Sequence, residues 1–66
     1  MQNLIDTARY NMRKTQDLAT SHRQFVTMFT SAGMLKFADY HQRKAEFNDN
    51  HAMLYQEILF SLLADS

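Results

Sequence analysis

The sequence predicts an all-α fold, an antiparallel hairpin of two long helices that dimerises into a four-helix bundle. Three observations carry this reading. The chain has no proline and a single glycine, Gly33, almost at its midpoint, so unbroken helix is expected on either side of one reversal. Ala38, Ala45 and Ala52 recur every seven residues, close to two turns, which lines them up on one helix and lets another backbone approach closely. In the first half Ile5, Ala8, Met12, Thr15, Ala19, His22, Val26 and Phe29 step by alternating threes and fours, a sustained heptad.

The elements follow in order within a single domain, residues 1–66: a helix over 3–30, a turn at 31–33 and a helix over 34–63. Asn3 is placed to cap the first helix, and Leu4, Leu18 and Phe25 widen its apolar face. In Thr30-Ser31-Ala32-Gly33, Gly33 suits the left-handed conformation that ends a helix and Ser31 suits an N-cap for the next. Two rivals are a continuous helix through the whole chain and a third helix starting at Asn48-Asp49-Asn50. The alanine heptad passes through that last segment without losing phase, which favours two helices. The second seam then reads Met34, Ala38, His41, Ala45, Asn48, Ala52, Tyr55, Leu59 and Leu62.

Folding the chain back at residues 31–32 pairs seam positions whose numbers sum to about 63 or 64. Phe29 then meets Met34, Val26 meets Ala38, His22 meets His41 and Ala19 meets Ala45. Thr15 meets Asn48, Met12 meets Ala52, Ala8 meets Tyr55 and Ile5 meets Leu59. Large faces small in several layers, and polar faces polar in two, as a close-packed interior requires.

The second helix has more apolar surface than one neighbour can cover. Phe37, Tyr55 and Leu62 lie beside the alanine line, and Tyr40, Phe47, Leu54 and Ile58 continue round the same side. Asp39, Arg43, Glu46, Asn50 and Glu57 form a narrow polar strip. Such an arc suits a helix touching two or more partners, so a homodimer is expected. Its seam set is Ala38, Ala45, Ala52, His22, His41, Phe37, Tyr55, Leu59 and Leu62.

Size points the same way. A core built from 66 residues rarely supplies more than about 3–5 kcal/mol. With no cysteine, disulfides and thiolate zinc sites are excluded as the stabiliser. Seven basic residues balance seven acidic ones, unlike the basic footprint of a general nucleic-acid binder. The first half is mildly basic and the second mildly acidic, which favours their lying side by side. No basic leader followed by an apolar run opens the chain, and no stretch approaches the ~20 apolar residues of a membrane span. A cytoplasmic location, with no membrane partner, is the expectation.

The His22 and His41 layer has a sharp reading, as a metal site or a switch opened by protonation near pH 6–6.5. Its plainer reading, a hydrogen-bonded pair, is the one favoured here. No metal or cofactor is predicted. Thr15 and Asn48 are read as a polar layer that fixes register. Tyr40, Phe47 and Leu54 form a stripe that suits either the dimer core or a target-docking surface. On the outer face of helix one, Tyr10, Lys14 and Met28 stand among Arg13, Asp17, Ser21 and Gln24, with Arg13 and Asp17 spaced for an ion pair. Partner contacts are therefore assigned to Tyr10, Lys14, Met28, Tyr40, Phe47 and Leu54. No glycine-rich phosphate loop, no serine set beside a base and no paired carboxylates stand out, so the protein is expected not to be an enzyme.

In overall pattern the chain resembles the Rop family of plasmid RNA-binding proteins. The likeness rests on Ala8, Ala19, Ala38, Ala45 and Ala52 with the central turn, and covers the whole chain. It implies a dimeric four-helix bundle with Tyr10, Lys14 and neighbouring polar residues facing RNA. More loosely, the chain is similar to helical-hairpin chaperones of bacterial secretion systems and to short phage or mobile-element inhibitors of host regulators. The leading expectation is a small non-enzymatic protein-binding regulator of inhibitor, adaptor or chaperone type, with a phage or plasmid as the expected source. The alternative is a Rop-like RNA-binding regulatory protein.

Overall fold

Helix α1 (Gln2–Ser31) and helix α2 (Leu35–Ala64) run antiparallel through the computed structural model, which describes residues 2–65. Each is 30 residues long, about 45 Å at 1.5 Å per residue, and the hairpin measures 50 × 13 × 11 Å along its Cα axes. Neither rival topology forms. Asn48, Asp49 and Asn50 lie inside α2, and the one reversal is at Ala32–Gly33–Met34.

That reversal is a Schellman closure. Gly33 takes φ +75°, its N–H donates to the Thr30 carbonyl at 3.1 Å, and the Met34 N–H donates to the Phe29 carbonyl at 2.8 Å. These two bonds satisfy carbonyls that the helix end would leave orphaned. They also correct the sequence reading at its edges. With Gly33 as the left-handed residue, α1 continues through Ser31, so Ser31 ends α1 and does not cap α2. Met34 precedes α2 as its cap, without a side-chain bond, its carbonyl accepting from Ala38 N–H at 3.1 Å. At the other end Asn3 lies one residue inside α1, its carbonyl accepting from the Thr7 hydroxyl. Replacing Gly33 with Ala is expected to cost about 1 kcal/mol, because a Cβ strains the left-handed conformation. A side chain there would meet no other atom, so Asn, which tolerates that conformation, should recover part of the loss in urea denaturation.

Apart from Met34, which precedes α2 and is 43% exposed, the seam packs in the register the numbering implies. Ile5, Ala8, Ala19, Ala38, Ala45, Asn48, Ala52 and Leu59 are buried, and Met12, Thr15, His22, Val26, Phe29, His41, Tyr55 and Leu62 are half-buried. Ala19 and Ala45, which this register sets in one layer, are both 0% exposed. Towards the open end the core widens into Ile5, Ala8 and Leu59, with Met12 and Leu62 against them. The Thr15 and Asn48 layer behaves differently from expectation. Thr15 donates to the Asn11 and Met12 carbonyls and Asn48 to the Lys44 carbonyl. Each short side chain reaches its own helix backbone more easily than its neighbour, so no bond between them fixes the register.

Candidate interaction surface

The two long sides of the hairpin differ. On one, Leu4, Leu18 and Phe25 of α1 face the same way as Phe37 and Ile58 of α2, each placed four residues before a seam position. Tyr40, Phe47 and Leu54 extend this side outward along α2. All eight are exposed, between 41% and 59%. Asn11, Lys44 and His51 interrupt the middle of the patch, and the Lys44 ammonium lies 5.6 Å from the Tyr40 ring centre. On the opposite side, four residues after seam positions, stand Arg9, Gln16 and Arg23 against Gln42, Asp49 and Gln56. Here Arg23 and Asp49 form an ion pair across the helices, realising the charge bias of the two halves. Leu63, four residues after Leu59, ends this line with an exposed apolar side chain, and Met53 and Phe60 lie further out on α2 beyond it.

The two ends of the apolar side have different shapes. Near the open end, Leu4, Ala8, Tyr55, Ile58 and Leu62 line a groove between the helices. Near the turn, aromatic rings cluster. Phe25 and Phe29 stack on His41 with centroids 4.8 and 5.5 Å away, Tyr40 meets it edge-on at 5.1 Å, and Phe37 sits 5.5 Å from Phe29. Inside this cluster the Nδ1 atoms of His22 and His41 approach to 2.8 Å. One ring must donate and the other accept, which requires opposite neutral tautomers or one shared extra proton.

On the outer face of α1 a shallow groove is lined by Tyr10, Arg13, Lys14, Asp17, Leu18 and Ser21. Arg13 and Asp17 share this groove without forming the expected ion pair. The i,i+4 pairs that do form are Gln2 with Asp6, Asp39 with Arg43 and Gln42 with Glu46.

No family model, curated protein or solved structure matches the chain. The surface must therefore be read from its own chemistry.

Of the seam set, Ala38, Ala45, Ala52 and Leu59 are buried within one hairpin, and His22, His41, Tyr55 and Leu62 are half-buried there. Phe37 stands apart: it is 54% exposed, on the rim of the aromatic cluster. Of the partner-binding set, Tyr10 and Lys14 share the α1 groove, Met28 is exposed, and Tyr40, Phe47 and Leu54 belong to the apolar side. The two groups thus occupy different surfaces. Sequence reasoning did not see that the apolar residues of both helices share one side. The signal was present in the spacing: both sets precede the seam by four. It also missed His51, whose Nδ1 lies 2.9 Å from the Phe47 carbonyl with its ring 4.2 Å from that of Phe47. Among the described residues no helix is long and apolar enough to cross a membrane.

Proposed function

We propose that this chain is a non-enzymatic, cytoplasmic homodimer that acts by docking on a target protein. The observation that carries this is the uneven hairpin, with eight large apolar side chains exposed on one flank, while the other flank carries the Arg23–Asp49 ion pair and fewer exposed apolar residues, Met53, Phe60 and Leu63. Its surface of 4986 Å² exceeds the about 4,400 Å² of a compact monomer of 7.8 kDa. A flank 50 Å long offers on the order of the 800 Å² per partner that stable dimers bury.

A second copy suits this flank in shape as well as in area. The aromatic cluster and the apolar groove lie on the same side, at opposite ends of the rod. A two-fold axis across the rod sets each copy's cluster against the other's groove, closing an isologous interface. The product is a four-helix bundle with the outer faces of both α1 helices free. Tyr10, Lys14 and Met28 on those faces would then meet the target as an aromatic anchor, a cation and an adaptable apolar side chain. In this arrangement Tyr40, Phe47 and Leu54 belong mainly to the dimer, with only their outer edge left for a target.

The test is affinity capture of the tagged dimer's partner from bacterial lysate, with and without nuclease. A protein retained after nuclease treatment by the parent, and lost by a Tyr10→Ala, Lys14→Ala variant that remains dimeric, supports the reading. A partner lost on nuclease treatment, with binding that weakens steeply as salt is added, would replace it with the Rop-like RNA-binding alternative. The observation behind that alternative is the pairing of Arg13 and Lys14 with Tyr10 in one groove. Asp17 in the same groove and a net charge of zero weigh against it.

A further inference from the structure

We infer that His22 and His41 form a proton-operated clasp between α1 and α2, closed while the pair holds at most one extra proton and opened by a second. The device belongs to one protomer and holds with or without a partner.

The geometry leaves space for a single proton between the two Nδ1 atoms, 2.8 Å apart. In the neutral pair, one Nδ1–H donates to the bare Nδ1 of the other ring. Adding one proton at the donor ring's far nitrogen, Nε2, charges that ring and preserves the bond, now charge-assisted. Adding a second puts an N–H on both facing nitrogens. The bond is lost, and two like charges remain half-buried with ring centroids 5.0 Å apart.

The surroundings offer no relief to that doubly charged state. From α1 the adjacent charged residue is Arg23, already paired with Asp49. From α2, Lys36 lines the same groove as His41, and Lys44 lies over the Tyr40 ring that touches His41. The rings of Phe25, Phe29 and Tyr40 pack on His41, and among the described residues no carboxylate bonds either imidazole. The clasp is also, among the described residues, the one cross-helix side-chain hydrogen bond on the seam itself, since the Arg23–Asp49 pair lies at its exposed edge.

The direction of the pH effect follows from counting protons. In the unfolded chain the two imidazoles are apart and each can take its own proton. The closed clasp takes only one. On acidification the unfolded state therefore binds more protons than the folded state, so stability falls as pH falls. The loss acts first on the turn half of the hairpin, where Phe25, Phe29, Phe37 and Tyr40 are held around His41.

Thermal unfolding at pH 7.5 and 5.5, in buffer containing a chelator, reads this directly. The parent protein is expected to lose about 5 °C or more in Tm on acidification. His51→Gln should lose the same amount. His41→Gln should lose little, since the amide can accept from a protonated His22 without adding charge. A flat parent profile, or an undiminished drop in His41→Gln, would overturn the clasp. If His41→Gln fails to fold, nitrogen-15 NMR of the parent decides. At pH 7.5 one of the two Nδ1 atoms must carry hydrogen and the other must be bare, and both protonated or both bare would reject the assignment.

Discussion

Ala45→Leu is expected to lower stability by about 1–3 kcal/mol, the usual cost of forcing extra methylenes into a filled site. Ala45 and Ala19 both have no exposed surface, and the register that pairs His22 with His41 puts them in one layer, where small side chains let two helix backbones approach closely. An isobutyl group there has no unfilled volume to enter. It must either leave its preferred rotamer or push the helices apart, and separating them strips contacts from Ala38 and Ala52 on the same line. A core of this size rarely supplies more than about 3–5 kcal/mol, so this one change should remove a large share of it. At about 4–8 °C per kcal/mol, Tm should fall by roughly 5–20 °C. Ala64→Leu, at an exposed position in the last turn of α2, is the control and should stay within about 0.5 kcal/mol of the parent. Equal midpoints for the two variants in urea would show that the alanine layer is not the close contact described above.

The second large effect is expected on association. Phe25→Lys combined with Ile58→Lys puts two ammonium groups on the apolar flank, one near the aromatic cluster and one in the groove. Both parent side chains are exposed in the single hairpin, at 42% and 49%, so its helix content should survive. The proposed dimer should not: burying unpaired charge where apolar anchors would meet should weaken it at least about 100-fold, or about 3 kcal/mol. Sedimentation across a range of concentrations should then give the monomer mass where the parent gives twice that value. Gln16→Lys with Gln56→Lys, on the polar flank, should leave the parent behaviour intact. A doubly substituted apolar flank that still sediments as a dimer would move the interface elsewhere.

The fold was largely legible because two of its signals are purely geometric. Ala38, Ala45 and Ala52 keep heptad spacing, and a lone glycine sits at the midpoint; together these define two helices, the seam and the pairing of layers. The His22 and His41 contact came out of that arithmetic directly. What the sequence misjudged lay at ends and in polar side chains. Ser31 looks like a cap by residue type, but the Gly33 geometry decides where α1 stops, and it stops one residue later than the cap reading needs. Thr15 and Asn48 looked like partners because they share a layer. A hydroxyl or amide in a helix has a backbone carbonyl one turn back within reach, however, and that local bond wins. The interaction surface was only half legible, since the spacing of each helix shows its own apolar stripe while the hairpin must be closed to show that both stripes share a flank.

The register described above also orders the folding of the chain. Layers whose numbers sum to a near-constant value are separated by ever longer loops as they recede from Gly33: Phe29 and Met34 are nearly adjacent, whereas Ile5 and Leu59 enclose almost the entire chain. Loop-closure entropy rises with that separation, but each layer that forms shortens the remaining loop for the next to a few residues. The hairpin can therefore close like a zipper from its turn, along a route of low contact order that permits folding in microseconds to milliseconds. Ile5 with Leu59, the layer whose two large apolar side chains are both buried, then closes last and locks a structure already aligned by the histidines and alanines before it.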